Sequence, residues 1–315
     1  FFISMHIGKE AIQSSRIEGT KTEFDDLFYD DEDSTPEERD DKYEVQNYID
    51  ALNFGIKDLT NLPLSMRLFC NIHKLLLRGV RGEHKSPGEV RKSQNWIGGS
   101  NLENAFFIPP HQDDLSESLS DFEKFLHNDT LQIPELIKVA LAHYQFETIH
   151  PYLDGNGRIG RLIIILYLIE KNIISRPVLY ISDFFEKNKG AYYDALTIGR
   201  SSHDIEHFIK FFLVGIIETC QSSLQTFQGI GELQKIVQEN ILTLGTRAEK
   251  ANTLITHMYS KPIVTSKYVS NLLKVTPATA NTLIHELIRL DILIEVTGNK
   301  RHKVYKFEKY MSLFR

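Results

Sequence analysis

A mainly α-helical fold, carrying a β-hairpin on one side and a smaller α+β domain at its C-terminal end, is what this sequence predicts. Three observations support it. Gly and Pro are sparse over most of residues 9–245, where apolar residues recur every three or four positions. The stretch Pro87 to Pro110 interrupts that pattern with Gly88, Gly98, Gly99, Pro109 and Pro110. From residue 246 the chain changes again, to three short helical segments followed by two alternating ones around a turn.

In chain order, an acidic region runs from Glu23 to Glu44. Its Asp30-Asp31-Glu32-Asp33 run, leading into Ser34-Thr35-Pro36, reads as a solvated loop. Leu52, Ile56 and Leu59 share one helical stripe. Leu64, Leu68, Ile72, Leu75 and Leu76 share another, entered through Pro63 in the first turn. Extended pieces at 94–97 and 105–108 form the expected hairpin, whose edge can bind an extended peptide as an added strand. A helix over 135–149 follows Pro134, with Leu136, Ala140, Tyr144 and Thr148 on one face. Residues 158–171 are apolar nearly all round, which predicts a helix in the middle of a bundle. In the tail, helices are expected over 248–258, 265–273 and 276–290, the last opened by Thr276 as N-cap and Pro277 as first residue. Segments 292–296 and 303–307 then alternate around Thr297-Gly298-Asn299-Lys300. Three helices and a hairpin is the order of a winged helix-turn-helix.

A length of 315 residues suits two domains. With 42% hydrophobic and 25% charged residues the chain is a soluble globular type rather than a disordered one. Its longest apolar run, Leu162 to Ile169, has 8 residues against the roughly 20 that cross a bilayer, so no membrane partner is expected. Two cysteines, Cys70 and Cys220, without CxxC or a Cys/His cluster, fit a reducing, cytoplasmic setting. The sequence starts at Phe1, and no signal peptide is read into it. The net charge of −6 divides into +7 over residues 246–315 and −13 over the remainder, as for two modules with different partners.

The chemistry concentrates in His150-Pro151-Tyr152-Leu153-Asp154-Gly155-Asn156-Gly157-Arg158-Ile159-Gly160-Arg161. Gly155-Asn156-Gly157 lets bare backbone N–H groups approach an anion. The helix that begins there adds unpaired donors and the positive end of its dipole. Arg158 and Arg161, three apart, face the same ligand, and paired cations at a helix N-terminus call for an anion such as a polyphosphate. Asp154 is a hard oxygen ligand suited to Mg²⁺ shared with phosphate oxygens. His150, beside the cradle, suits a general base that takes a proton from an attacking hydroxyl. His143, Glu147 and His150 are spaced H-x3-E-x2-H, which is not the zinc-protease H-E-x-x-H.

Residues 150–161 resemble the Fic motif, HPFx(D/E)GNGRxxR, with Tyr152 in place of Phe at an apolar core position. The resemblance extends over roughly residues 9–230. Ser14-Ser15-Arg16-Ile17-Glu18-Gly19 is similar to the family's inhibitory motif (S/T)xxxE(G/N). Gly88-Glu89-Val90-Arg91, Gln94-Asn95-Trp96-Ile97-Gly98-Gly99 and Pro109-Pro110 are similar to its target-binding flap. Tyr192, Tyr193 and Leu196 are similar to its downstream nucleotide-side segment, with Asn188 a weaker addition. The resemblance implies a Fic-type helical bundle with a β-hairpin flap plus the winged helix. It implies an N-terminal inhibitory and helical region at 1–60, a catalytic domain at 61–230 and the winged helix at 231–315.

It further implies an adenylyltransferase that moves AMP from ATP to a Ser, Thr or Tyr hydroxyl of a target protein, or of itself, and releases pyrophosphate. His150 would be the base, and Asp154 would hold Mg²⁺ between the α- and β-phosphates. Gly155, Asn156 and Gly157 would cradle the anion, with Asn156 near the α-phosphate, and Arg158 would bind phosphate. Arg161 would bind the γ-phosphate. Ile159, Gly160 and Tyr193 complete the nucleotide side, Tyr193 either lining the base pocket or packing its helix. Gly157 stands where the phosphotransferase branch has Lys. Glu18, with Ser14 and Gly19, would pair with Arg161 and spoil the γ-phosphate site. Trp96, Ile97 and Gly98 belong to the flap, Trp96 either clamping a target or packing the hairpin. Alternatives stay open: a bifunctional or reversed, AMP-removing activity, a homodimer, and a DNA-binding regulator. The last draws on Lys300-Arg301-His302-Lys303 at the wing and on Asn281, His285 and Arg289.

Overall fold

A computed structural model describes residues 2–29, 35–298 and 303–315. The chain divides into a larger unit, Glu10–Thr22 with Ser34–Cys220, and a smaller one, Phe1–Lys9 with Glu23–Asp33 and Gln221–Arg315. These limits depart from divisions at 60 and 230, because N-terminal apolar residues enter the core of the C-terminal unit. Met5 is buried in that core, and the Phe2 ring meets Tyr259 edge-on at 5.3 Å.

The larger unit is helical. It takes the second half of α1 (Phe2–Ile17), then α2 (Pro36–Asp58), α3 (Met66–Leu76), α4 (Leu115–Leu126), α5 (Glu135–Ile149), α6 (Asn156–Glu170), α7 (Ile181–Lys187), α8 (Lys189–Ser202) and the first part of α9 (Ile205–Leu242). Helix α2 starts on a capping box: Thr35 Oγ1 accepts from the Glu38 N–H at 3.3 Å and Glu38 Oε2 from the Thr35 N–H at 2.7 Å. Helix α3 does not begin at Pro63. Extended Ser65 is its N-cap, accepting from the Leu68 N–H at 3.4 Å, and Pro63 lies outside. Helices α5 and α6 pack on each other. From Ile159 to Leu168 every residue of α6 is buried, as its all-round apolar pattern requires. Each large aliphatic side chain buried this way contributes about 1.5–3 kcal/mol.

Between α3 and α4 the expected hairpin holds one isolated antiparallel bridge, Ile97 with Phe107, and no strand ladder among the described residues. The tip is too tight for a longer ladder. Gly98 and Gly99 both have positive φ, and a Cβ on Gly98 would lie 2.2 Å from the Phe106 ring.

In the smaller unit the order is α10 (Ala248–Met258), β1 (Ile263–Thr265), α11 (Ser266–Leu273), α12 (Pro277–Arg289), β2 (Ile294–Glu295), β3 (Val304–Lys306) and α13 (Glu308–Met311). The sheet runs β1-β3-β2, all antiparallel, with Tyr305 opposite both Val264 and Glu295. Strand β1 was not expected: three residues are too few to display alternation. Thr265 and Thr276 cap α11 and α12 through their hydroxyls, each accepting an N–H at 3.2 Å. The acidic run at 30–34 and the wing residues Asn299, Lys300, Arg301 and His302 lie outside the described residues. No helix of the described residues is long and apolar enough to cross a membrane.

Candidate active site

All the chemistry-bearing residues belong to the larger unit, around the link from α5 to α6. His150 ends α5 in the left-handed conformation, φ 50 and ψ 62. Its carbonyl is held by Arg91 Nε at 3.0 Å and Asn95 Nδ2 at 3.3 Å. Arg91, only 3% exposed, also donates to the Ser93 and Pro110 carbonyls at 3.0 and 2.6 Å, and its own N–H reaches the Pro151 carbonyl. One guanidinium thus joins both ends of the hairpin to the loop that carries His150. The sequence placed Arg91 in the flap segment, but nothing in its spacing singled it out.

His73 on α3 was missed altogether. Its Nδ1 accepts the Gly88 N–H at 2.8 Å, so Nε2 carries the proton and donates to the Asp154 carbonyl at 2.9 Å. The ring stacks on Tyr152 at 3.9 Å. Tyr152 is fully buried, as the apolar position requires.

His150 Nδ1 faces the Glu147 carbonyl at 3.3 Å, and a carbonyl only accepts, so Nδ1 is the protonated nitrogen. Nε2 keeps its lone pair. Burial pushes His150 down to about 4; the Glu147 carbonyl opposes this, and the Arg200 charge adds to it. The imidazole is therefore neutral near pH 7, as a base must be.

Helix α6 opens at Asn156 after Gly155 in the left-handed region, φ 76. The Asn156 side chain is engaged with the loop before it. Its Oδ1 accepts the Tyr152 N–H and its Nδ2 donates to the Tyr152 carbonyl, both at 2.8 Å. A clamp with both ends used leaves only the backbone N–H to offer an anion. The N–H groups of Asn156, Gly157 and Arg158, at the helix's first turn, have no intrahelical partner by construction. Asp154 uses Oδ1 on the Gly155 N–H at 2.5 Å and lies 3.6 Å from Arg158, while its side chain remains 41% exposed. One carboxylate with a free oxygen suits Mg²⁺ held mainly by phosphate and water. Among the described residues no group of three or more His, Cys, Asp or Glu is placed to hold a metal ion.

Arg158 is buried against Glu44 of α2, Nη1 to Oε2 at 3.0 Å. Glu44 is shared with Arg81, which also reaches Asp41 at 2.8 Å. This acidic support came from a region read only as a solvated charge run.

Arg161 is 1% exposed. Its Nε donates to Ser14 Oγ at 2.8 Å, and its Nη2 to the Ser14 carbonyl at 2.9 Å and Glu18 Oε1 at 2.6 Å. Burial raises the Glu18 carboxyl, but the Arg161 charge and hydrogen bond, with Arg158, outweigh it and hold Glu18 below the usual carboxylate range. Gly157 makes room: a Cβ there would lie 2.3 Å from Glu18 Oε1. Gly19 follows in the positive-φ region at 107. Ile159 is buried in the bundle, and Gly160 lets Glu147 approach α6. Tyr193 on α8 is 42% exposed, its ring 5.3 Å from Tyr192. Trp96, 40% exposed, and Ile97 and Gly98 stand on the flap without contact to His150 among the bonds described.

Residues 63–168 match the Fic/DOC family, and residues 1–57 match the Fic/DOC family N-terminal region. The chain is 30% identical over 168 residues to "Protein adenylyltransferase Fic" of Aedes aegypti, covering 53% of this chain and 30% of that protein. The same-named protein of Drosophila erecta is 31% identical over 174 residues, 54% of this chain and 29% of that one. The chain thus spans about a third of the length of the curated relatives it matches. In fold it is similar to a Fic family protein from Desulfovibrio desulfuricans G20, with TM-score 0.58 and 19% identity over 96% of this chain and 87% of that one. It is also similar to Fic-1 from C. elegans, with TM-score 0.54 and 19% identity over 69% and 62%.

Proposed function

The chain belongs to the Fic/DOC family, and from that premise we propose that it is a protein adenylyltransferase, moving AMP from ATP to a Ser, Thr or Tyr hydroxyl of a target protein. The observation that supports this best is a neutral His150, Nε2 free, beside a helix N-terminus that carries two buried arginines.

His150 Nε2 takes the hydroxyl proton as the oxygen attacks the α-phosphorus, and pyrophosphate leaves with its bonding pair. The first N–H groups of α6 and the Arg158 and Arg161 guanidiniums neutralise phosphate charge, so catalysis is largely positioning and electrostatics. Asp154 would hold Mg²⁺, which would add further neutralisation of the polyphosphate. The flap edge at Ile97 would pair with the target backbone, and exposed Trp96 would cover it.

The Glu18–Arg161 pair supports self-inhibition. The carboxylate takes the Nη2 donor that a γ-phosphate needs and repels the triphosphate. The test is intact-protein mass spectrometry after incubation with ATP, Mg²⁺ and a lysate of candidate targets. Glu18→Gly should gain one AMP or label targets, the parent far less, and Glu18→Gly/His150→Ala not at all. Absence of label in the first variant, on itself and on every target, overturns the reading.

A second reading reverses the reaction. Glu18 Oε2 has no bond to Arg161, and a carboxylate oxygen free on that side would align a water for AMP removal. For the smaller unit, the helix–strand–helix–helix–strand–strand order supports a winged helix. Exposed Asn281, His285 and Arg289, four apart on α12, are the face that DNA would meet. Lys303 and Lys306 are paired with Glu295 and Asp25, which leaves less free positive charge for phosphate than the sequence suggests. A homodimer and a cytoplasmic setting remain part of the proposal and rest on resemblance and composition.

A further inference from the structure

Glu147 is a buried carboxyl whose one ion-pair partner among the described residues is His150, a ring that is neutral near pH 7. It lies on α5 one turn before His150, 6% exposed, and its Oε1 has no hydrogen-bond partner among the described residues. An unpaired buried acceptor is costly unless it serves a purpose. Its Oε2 stands 3.9 Å from His150 Nδ1, the side of the ring away from the free lone pair. The backbone carbonyl of the same residue accepts from that Nδ1 at 3.3 Å and from Arg200 Nη2 at 2.9 Å. Helix α6 is shaped to admit the carboxyl. A Cβ on Gly160 would lie 2.4 Å from Oε1 and 3.2 Å from His143 Nδ1, a second buried atom without a partner.

We propose that Glu147 is a positioning residue for the base: its carboxylate, admitted by Gly160, faces the Nδ1 side of His150 and stabilises the imidazolium formed when Nε2 takes the target's proton. This rests on the transfer reaction proposed above. The target's O–H bond breaks and the Nε2–H bond forms. His150 keeps its Nδ1 proton throughout, and the new positive charge on the ring meets a carboxylate across Nδ1–H. After pyrophosphate leaves, Nε2 returns its proton to water.

The charged and titratable groups around Glu147 are Arg161 on α6, Glu18 after α1, Arg200, Tyr192 and Tyr193 on α8, and His143 and His150 on its own helix. Burial pushes the Glu147 carboxyl up to about 7, with Arg161 and Arg200 pulling it down and Glu18 up. His150, near 4, is already neutral over that range. A rate that rises through neutral pH would therefore report Glu147 rather than the base.

The experiment measures kcat for AMP incorporation at saturating ATP and Mg²⁺ from about pH 5.5 to about 8.5, in the Glu18→Gly background. The parent should show one ionisation near neutrality. Adding Glu147→Gln should lower kcat about tenfold at the alkaline end, leave the KM for ATP unchanged and flatten the profile. Glu147→Asp should regain the ionisation, and Gly160→Ala, which displaces the carboxyl, should behave like the Gln variant. Melting temperatures verify folding, and if Glu147→Gln is unfolded, Glu147→Asp and Gly160→Ala decide the matter. An unchanged kcat and profile in Glu147→Gln, or a lower kcat with the ionisation retained, overturns the assignment. A parent without AMP transfer overturns the reaction itself, a separate failure.

Discussion

At Arg161 and Glu147 the larger unit buries opposite charges for different ends. Arg161 satisfies three donor contacts through Ser14 and Glu18, so its charge is compensated. The Glu18 carboxyl is held below its ordinary value, so the stability it contributes is fully present above the usual carboxylate range and is lost as pH falls through the lowered value. Glu147 runs the other way. The unfolded chain ionises it near 4.5 and the folded one near 7, so its ionisation costs folded-state stability increasingly as pH rises between them. Glu147→Gln is therefore expected to be more stable than the parent at pH 8, by up to about 3 kcal/mol, in urea unfolding. A variant less stable at pH 8 than at pH 5, relative to the parent, contradicts that. Gain in stability with loss of rate is the pattern of a functional buried charge. In the sequence, Glu18 and Arg161 were legible through their motifs. Glu147 was visible only as part of a rejected zinc spacing, because burial and a missing Cβ across α6 are not local properties.

Helix α1 presents Glu10 and Ser14 four residues apart on one side, and Glu18 follows in the turn just after its last residue. Glu10 accepts from the Ser182 N–H at 3.0 Å and from Tyr48 at 3.1 Å, Ser14 and Glu18 engage Arg161, and Lys189 donates to the Ile17 carbonyl at 2.5 Å. The segment proposed as inhibitory is thus held at both ends, by a buried carboxyl and by an exposed lysine on the last turn's carbonyl. Lys189→Met removes only the outer hold. It should raise AMP incorporation a few-fold, well below Glu18→Gly, with about 0.5–1.5 kcal/mol lost in thermal unfolding. Incorporation equal to the parent's would show that Lys189 does not restrain the helix. Most elements here were legible because caps and apolar periods are local: Thr276-Pro277 and the apolar α6 sit as expected, whereas the Thr35-Pro36 start of α2 was read as loop. The flap's single bridge and strand β1 were not, since both depend on partners distant in sequence.

Among the described residues, three buried histidines and the half-buried His150 are held neutral. His6, His73 and His150 are pushed to about 4 and His143 to about 3, each chiefly by burial. The unfolded chain binds their protons below about 6.5 while the folded chain does not, so stability falls as pH drops from there towards 4. Each contributes a loss of up to about 3 kcal/mol, and their sum of about 12 kcal/mol is comparable to the roughly 5–15 kcal/mol of a typical domain. Acid unfolding should therefore be complete before pH 4, followed by circular dichroism. A protein still folded at pH 4 would mean that these rings are protonated or solvated in the native state. Histidine content is plain in the sequence, but which rings are buried is a property of the packed chain.

The sequence by itself determined the helical class, the Thr276-Pro277 cap, the motif from His150 to Arg161 and the Ser14–Gly19 segment proposed as inhibitory, because each is written in neighbouring residues. The tertiary structure decided what those residues touch. It turned Asn156 into a loop clamp, gave Arg158 a partner in Glu44, tied flap and base through Arg91 and set Glu147 behind His150. It also moved Phe2 and Met5 into the core of the C-terminal unit. The physical reason is range. Hydrogen-bond caps and apolar periodicity act over a few residues, whereas burial, desolvation and charge pairing depend on segments that only folding brings together.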